Sequence, residues 1–403
     1  MSAVSAAERA GSPAASADGF RDPISNLLVK VAARCNIDCS YCYWFRDPSV
    51  YARPKLMSRT VLTQMLARVE DHVVAHELPV FPLLLHGGEP MLWGMENYDL
   101  LGMECRAIAE RTGCVVSLTL TTNGVLIDDA WIDCFERNEI GLTISIDGPA
   151  EIHDIHRRTF QGAPTHAAVE RAIRLLQARG ISFGTLAVCN PAYPAETFFD
   201  YFRTLGLESF DIIFPDAVHG DDPPSIAAFY SSLFDLWLDA NRDRRAVRIR
   251  TVESMVSGLL AGPSPCEVVG YGPIEVCTIM TDGSMEPLDV LRIAGEDSTR
   301  TTFNLFDNAI EEIKNEPRWM AARASSLQLC ETCQRCQFKF ACGGSYLPHR
   351  FSKANGYDNP SVYCEDLYST FSYIQSKLAR EVYVATPAGD KIEIGQALST
   401  TDS

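Results

Sequence analysis

From Pro23 to about Arg250, short apolar runs alternate with amphipathic stretches. Six runs read as strands: NLLVKVAA, VFPLLLH, VVSLTLT, GLTISID, SFGTLAVC and SFDIIFP. Between them, SRTVLTQMLARVEDHVVAH, ENYDLLGMECRAIAERTG and THAAVERAIRLLQARG have helical spacing, with Ser58 as an N-cap and Gly113 and Gly180 as terminators. Continuous apolar strands alternating with helices predict a parallel sheet covered by helices. Six such units predict an α/β fold, a partial (β/α)6 TIM-like barrel over residues 23–250. The active site of such a barrel lies at the C-terminal ends of its strands, so every chemical motif should fall just after a strand.

The pattern changes after AAFYSSLFDLWLDANRDRR. Gly and Pro increase, helical stretches shorten and cysteines gather, so residues 251–380 are expected to form a smaller cysteine-rich domain. Residues 1–22 are small and polar and predict a disordered tail; residues 381–403 predict a C-terminal tail or short hairpin. No apolar signal segment opens the chain, and LPVFPLLL is far short of the ~20 residues that span a bilayer, so no membrane partner is expected.

Composition narrows the function. With 403 residues, 46% of them hydrophobic, the chain can bury a sizeable core. Its net charge of −17 argues against a grip on nucleic acid or an anionic membrane. Fourteen cysteines in so long a chain read as metal ligands in a reducing, cytoplasmic compartment rather than as a disulfide scaffold.

Directly after the first strand, RCNIDCSYCYWF sets Cys35, Cys39 and Cys42 in a C-x3-C-x2-C loop. Three thiolates can hold three irons of a four-iron cluster and leave the fourth open. The alternative, a structural zinc site one ligand short, finds no nearby His or Cys to close it. With Tyr41 before its last cysteine, the loop resembles the cluster loop of the radical SAM superfamily. HGGEP follows the second strand, TTNG the third and SIDGPAEIHDIHRR the fourth. The glycines allow close backbone approach to a ligand, and Glu89 offers a carboxylate to an ammonium group.

The resemblance implies S-adenosylmethionine as cofactor, with a 4Fe-4S cluster on Cys35, Cys39 and Cys42. Gly87, Gly88 and Glu89 would bind the methionyl amine, Arg157 the methionyl carboxylate and Ser145 the ribose, with Tyr41 beside the adenine and Asn123 at the third strand tip. It also implies an electron donor such as flavodoxin or ferredoxin, and a 5′-deoxyadenosyl radical that takes a hydrogen from an unactivated carbon.

Seven further cysteines lie in the C-terminal region: Cys266, Cys277, Cys330, Cys333, Cys336, Cys342 and Cys364. CETCQRCQFKFAC is tighter than two separated zinc knuckles and closer to ferredoxin ligation. The set resembles the SPASM extension of radical SAM enzymes, which implies one or two auxiliary 4Fe-4S clusters. Cys333, Cys336, Cys342 and Cys364 would hold the distal one; Cys266, Cys277 and Cys330 would serve a nearer one. Tyr346 and Leu288 stand where relatives often carry cysteine, so the nearer cluster either has three protein ligands or is absent, leaving Cys266 and Cys277 as core cysteines.

Asp289 matches the position of the general base in sulfatase-maturing relatives. In a desolvated site its pKa is expected to be raised, suiting it to accept a proton. The stretch CGGSYLPHRFSKANGYDNPSVYC resembles peptide-modifying members that install cyclophane crosslinks. That implies a ribosomally made precursor peptide, hydrogen abstraction at Cβ and a bond from an aromatic ring carbon to Cβ. The same clusters also serve thioether crosslinking, epimerisation, or oxidation of Cys or Ser as in sulfatase maturation; a zinc-stabilised binding module is the non-enzymatic alternative. Cys105, Cys114, Cys134 and Cys189 have no partners at ligand spacing and read as buried apolar residues. His86, at a strand end, is a candidate substrate contact.

Overall fold

The computed structural model describes residues 22–385 apart from 243–246, 265 and 296. The expected tails fall on residues 1–21 and 386–403, outside the described residues; the helix Cys364–Ala385 runs past the boundary expected at 380. All six expected strands form: β1 (Leu27–Ala32), β2 (Leu83–Gly87), β3 (Leu118–Thr122), β4 (Ile140–Ser145), β5 (Phe183–Val188) and β6 (Phe210–Ile213). They pair in parallel and in chain order, as successive right-handed βαβ units dictate.

Helices α1 (Arg59–Ala75), α2 (Met95–Thr112), α3 (Asp129–Arg137), α4 (Ala150–His156), α5 (His166–Ala178) and α6 (Ala195–Thr204) cover the sheet. Helix α1 buries Leu62, Met65, Leu66, Val69 and Val73, one stripe at helical spacing. The Ser58 hydroxyl accepts from the Val61 N–H at 3.2 Å, and Gly113, at φ 77°, ends α2 in the left-handed region.

Two strands come from the cysteine-rich region. β7 (Cys277–Ile279) runs parallel to β1, pairing Cys277 with Leu27, and β8 (Met285–Glu286) pairs antiparallel with β7. The sheet is thus eight-stranded, in the order β8-β7-β1-β2-β3-β4-β5-β6. Runs this short, in a Gly- and Pro-rich stretch, carry too little alternation to be seen in sequence. Helices α7 (Ala227–Arg242), α8 (Arg250–Leu259) and α9 (Cys364–Ala385) complete the framework; the Tyr373 hydroxyl of α9 donates to Asp235 of α7.

A close backbone approach lies within the cysteine-rich segment. Gly343 has φ 63°, and a Cβ there would stand 1.6 Å from the Gly270 carbonyl oxygen. Gly343→Ala is therefore expected to cost about 2–3 kcal/mol and lower Tm. Gly184→Ala, whose nearest neighbour would be Thr143 Oγ1 at 3.9 Å, is the control expected to leave Tm near wild type.

Candidate active site

The motifs converge on the C-terminal ends of β1 to β4. Beyond β1 the chain enters the cysteine loop, and Cys42 N–H closes a turn on the Cys39 carbonyl at 3.0 Å. Asp38–Cys39 pairs antiparallel with Arg157–Arg158, setting Cys39 opposite Arg157. On the other side, Gly88 N–H donates to Ala32 O at 2.8 Å and Glu89 N–H to Arg34 O at 2.9 Å. A Cβ on Gly87 would lie 2.3 Å from the Ala32 oxygen, and one on Gly88 2.5 Å from the Arg34 oxygen, so both positions require glycine. The GG of HGGEP thus laces the exit of β2 to the cysteine loop.

Cys35, Cys39 and Cys42 are all partly exposed. Burial and the Glu89 charge push the Cys35 thiol up to about 12, and burial, partly offset by Arg157, takes Cys39 to about 11. Burial also raises Cys42. Such thiols ionise when a cation sits among them, the condition for acting as ligands rather than free nucleophiles. Three thiols on one exposed rim fit a cluster with an open iron.

Glu89 is wholly buried and anchors the cofactor side. Its Oε1 accepts from Met91 N–H at 3.0 Å and the Thr122 hydroxyl at 2.8 Å, and its Oε2 from Asn123 N–H at 2.9 Å. A carboxylate has about four acceptor sites, so one remains on Oε2 for an ammonium group. Burial pushes Glu89 up to about 7 against the pull of these bonds. Asn123 donates from Nδ2 to Asn36 Oδ1 at 2.7 Å, tying the tip of β3 to the cysteine loop.

Tyr41 and Arg157 meet through Asp147, a residue that no motif reading assigned. The Tyr41 hydroxyl donates to Asp147 Oδ2, Arg157 Nε donates to the same oxygen at 2.8 Å, and the guanidinium lies 5.5 Å from the Tyr41 ring centroid. Burial alone would raise Asp147, but Arg157 holds it below the usual carboxylate range. The sequence signal for Asp147 was its place two residues past β4. Ser145 is the last residue of β4, partly buried at the same end of the sheet.

Asp289 opens a short 3-10 helix, Asp289–Ala294, and is 5% exposed. It pairs with Lys30 of β1 and accepts from the Tyr43 hydroxyl at 2.5 Å. Lys30 Nζ also lies 3.0 Å from Tyr43 Oη and 3.0 Å from His86 Nδ1, with the Trp44 ring centroid at 4.6 Å. His86 thus belongs to this network. The expectation of a raised Asp289 pKa is corrected here. Burial does push it up, but Lys30, His86 and the Tyr43 bond outweigh burial and hold it at about 2. Lys30 itself, 0% exposed, has its pKa lowered by burial. Its signal was the single charge inside NLLVKVAA.

The C-terminal cysteines divide differently from the expected sets. Cys333 lies beside Cys330 and within electrostatic reach of Cys342 and Cys364, and Cys364 within reach of Cys336 and Cys330. Five cysteines are linked in this way, one more than the four thiols a distal 4Fe-4S cluster would take. Cys330, expected to reach the nearer set, packs with Leu329 and Cys333 because the helix Glu331–Gln334 starts directly after it. Cys277 is fully buried on β7 in the main core, and Cys266 Sγ lies 3.2 Å from Ser254 Oγ on α8. Leu288 sits in a separate apolar cluster, with Leu347 in it and Tyr346 packed against it. Among the described residues, Cys266 and Cys277 belong to the main core, and Cys330 and Cys333 to a separate cluster with Leu329. Cys105, Cys114, Cys134 and Cys189 are buried, as expected.

Comparisons agree with this geometry. Residues 29–205 match the family model described as the Radical SAM superfamily. The chain is 27% identical over 377 residues to a cysteine-type anaerobic sulfatase-maturating enzyme of Clostridium perfringens, covering 88% of this chain and 97% of that protein. It is 24% identical over 393 residues to a serine-type anaerobic sulfatase-maturating enzyme of Bacteroides thetaiotaomicron, covering 88% and 90%. Its fold matches native anSMEcpe with bound AdoMet and Cp18Cys peptide at a TM-score of 0.78, with 25% identity over 88% of this chain and 98% of the other. Among the described residues no helix is long and apolar enough to cross a membrane.

Proposed function

We propose that this chain, whose residues 29–205 match the Radical SAM superfamily model, oxidises a side chain of a peptide substrate after loss of a Cβ hydrogen. The observation that carries this reading is Asp289, ionised and fixed by Lys30 and Tyr43 immediately beside the cysteine loop. When bound, S-adenosylmethionine and a 4Fe-4S cluster on Cys35, Cys39 and Cys42 supply a 5′-deoxyadenosyl radical, and an auxiliary 4Fe-4S cluster on Cys333, Cys336, Cys342 and Cys364 supplies an electron acceptor. Glu89 takes the methionyl ammonium at its remaining acceptor site. Arg157, oriented by Asp147, would pair with the methionyl carboxylate.

The side-chain chemistry balances simply. After one hydrogen atom has gone, the substrate still has to lose one proton and one electron. Asp289 accepts the proton, with Lys30 and Tyr43 keeping its oxygens in place. A serine side chain then becomes an aldehyde and a cysteine side chain a thioaldehyde. The cysteine-type and serine-type relatives favour this outcome.

A second reading, a cyclophane formed between an aromatic ring carbon and Cβ, is favoured by one observation. Leu288 and Tyr346, which stand where relatives often carry cysteine, pack together in an apolar cluster beside the stretch that resembles cyclophane-forming members. Mass spectrometry of peptides incubated anaerobically with reduced protein and S-adenosylmethionine separates the two. Oxidation of Cys or Ser yields a product that reacts with hydrazine and needs no aromatic neighbour. A crosslink loses two hydrogens, resists hydrazine and vanishes when the aromatic residue is replaced. A peptide recovered unchanged from every such reaction would end both readings. The substrate is read as a ribosomally made peptide, and the reductant as a flavodoxin or ferredoxin.

A further inference from the structure

Asp216 and His349 stand outside the network just described. Asp216 lies three residues beyond β6, at the same end of the sheet as Asp289, with its side chain 20% exposed. Among the described residues it has no hydrogen-bond donor. His349 comes from the short 3-10 helix Leu347–Arg350 and is 0% exposed, with neither ring nitrogen partnered. The rings of Phe214, Tyr346 and Tyr363 wall it in, at centroid distances of 6.4, 5.3 and 5.2 Å. Enclosing an imidazole without partners is costly, and such groups are rare in folded proteins.

The separation of the two side chains is defined by one distance. His349 Nε2 is 4.0 Å from Asp216 Oδ1, too far for a mutual hydrogen bond. A donor atom about 2.8 Å from each would see them at an angle of about 90°. A primary ammonium, with three hydrogens and no acceptor, can satisfy both.

Charge points the same way. Asp289 bears on Asp216, and Glu267, Asp216 and Asp289 all bear on Tyr346. Two nearby cations are committed, Lys30 to Asp289 and Arg250 to Asp211; Arg46, exposed to solvent, bears on Asp216 without bonding to it. Burial and the Asp289 charge push Asp216 up to about 7, with Arg46 opposing, a cost that an incoming cation relieves.

We propose that Asp216 and His349 seat a primary ammonium of the peptide substrate close to the residue being modified. The proposal rests on the peptide-modifying reading above. The ammonium has two sources, a lysine side chain or the peptide's own N-terminus, and both are testable with defined probes.

The probes are synthetic Cys-containing peptides carrying a C-terminal fluorophore, with Lys placed in turn at each position flanking the Cys and norleucine as the uncharged isostere. Each is made with a free and an acetylated N-terminus. Anisotropy with the anaerobic holoenzyme reads binding without turnover. At one position Lys should bind at least about tenfold tighter than norleucine, as expected for a charge-assisted hydrogen-bond pair. If the N-terminus is the source, the gain instead follows removal of the acetyl group. In either case Asp216→Asn should bring the ratio close to one, while its iron content and Tm confirm that it is folded. Equal binding of all peptides, or a Lys advantage that survives in Asp216→Asn, overturns the seat even if the peptides are modified. A retained advantage in wild type that is lost in Asp216→Asn, on peptides that are never modified, upholds the seat and sinks the reaction.

Discussion

Cys35→Ala, Cys39→Ala and Cys42→Ala, combined in one chain, should abolish 5′-deoxyadenosine formation and remove about four irons per chain. The fold should survive, because the thiols sit on a rim outside the eight-stranded sheet. The loop is held by Cys39–Arg157 pairing and by Gly88 and Glu89 N–H bonds to Ala32 and Arg34, none of which uses a sulfur. Trp44, 1% exposed, and Val50 provide the apolar anchor behind it. Iron held by the C-terminal cysteines should remain. Iron analysis with far-ultraviolet circular dichroism checks both halves, and an unchanged iron content in the triple variant would remove the cysteine loop from the chemistry.

Asp289→Asn should have the second largest effect, and a different one. In the proposed function cofactor cleavage is assigned to the cysteine loop, Glu89 and Arg157, so 5′-deoxyadenosine should still form. Oxidised peptide should fall by about 10²–10⁴, the usual worth of a positioned proton acceptor. An asparagine keeps the hydrogen bond from Tyr43 and the shape of the site but cannot take the proton. Full product formation by this variant would assign the proton elsewhere.

Lys30→Met isolates the electrostatics. With Asp289 held at about 2, its ionisation contributes no acid limb to the rate anywhere near neutral pH. Without the ammonium, burial is opposed only by His86 and the Tyr43 bond, and the pKa of Asp289 rises. The variant should therefore gain an acid limb, with activity lost as pH falls through the raised pKa and restored above it. Uncoupling a buried pair should also cost about 3–5 kcal/mol. A pH–rate profile of product formation tests the first effect and thermal denaturation the second.

What sequence reveals here follows from how local each feature is. The six parallel strands are legible because burial on both faces makes each a continuous apolar run. The motifs at Cys35, Gly87, Asn123 and Ser145 are legible because the barrel requires chemistry at strand exits. Three features are not legible, two because they depend on distant chain returns and one because a short helix turns its residue aside. Asp289 was identified, but its ionisation is set by Lys30, on the opposite side of the chain's length. Cys330 was recognised as a ligand type, but its company is decided by a helix that begins at the next residue. The seat at Asp216 and His349 forms only when the end of β6 meets the segment after Cys342.

The most direct measurement of the central claim follows one atom. A peptide deuterated at the Cβ of its Cys or Ser is incubated anaerobically with holoenzyme, reductant and S-adenosylmethionine, and the 5′-deoxyadenosine is analysed by mass spectrometry. The account predicts one deuterium in 5′-deoxyadenosine for each oxidised peptide formed. Deuterium-free 5′-deoxyadenosine alongside modified peptide would contradict it.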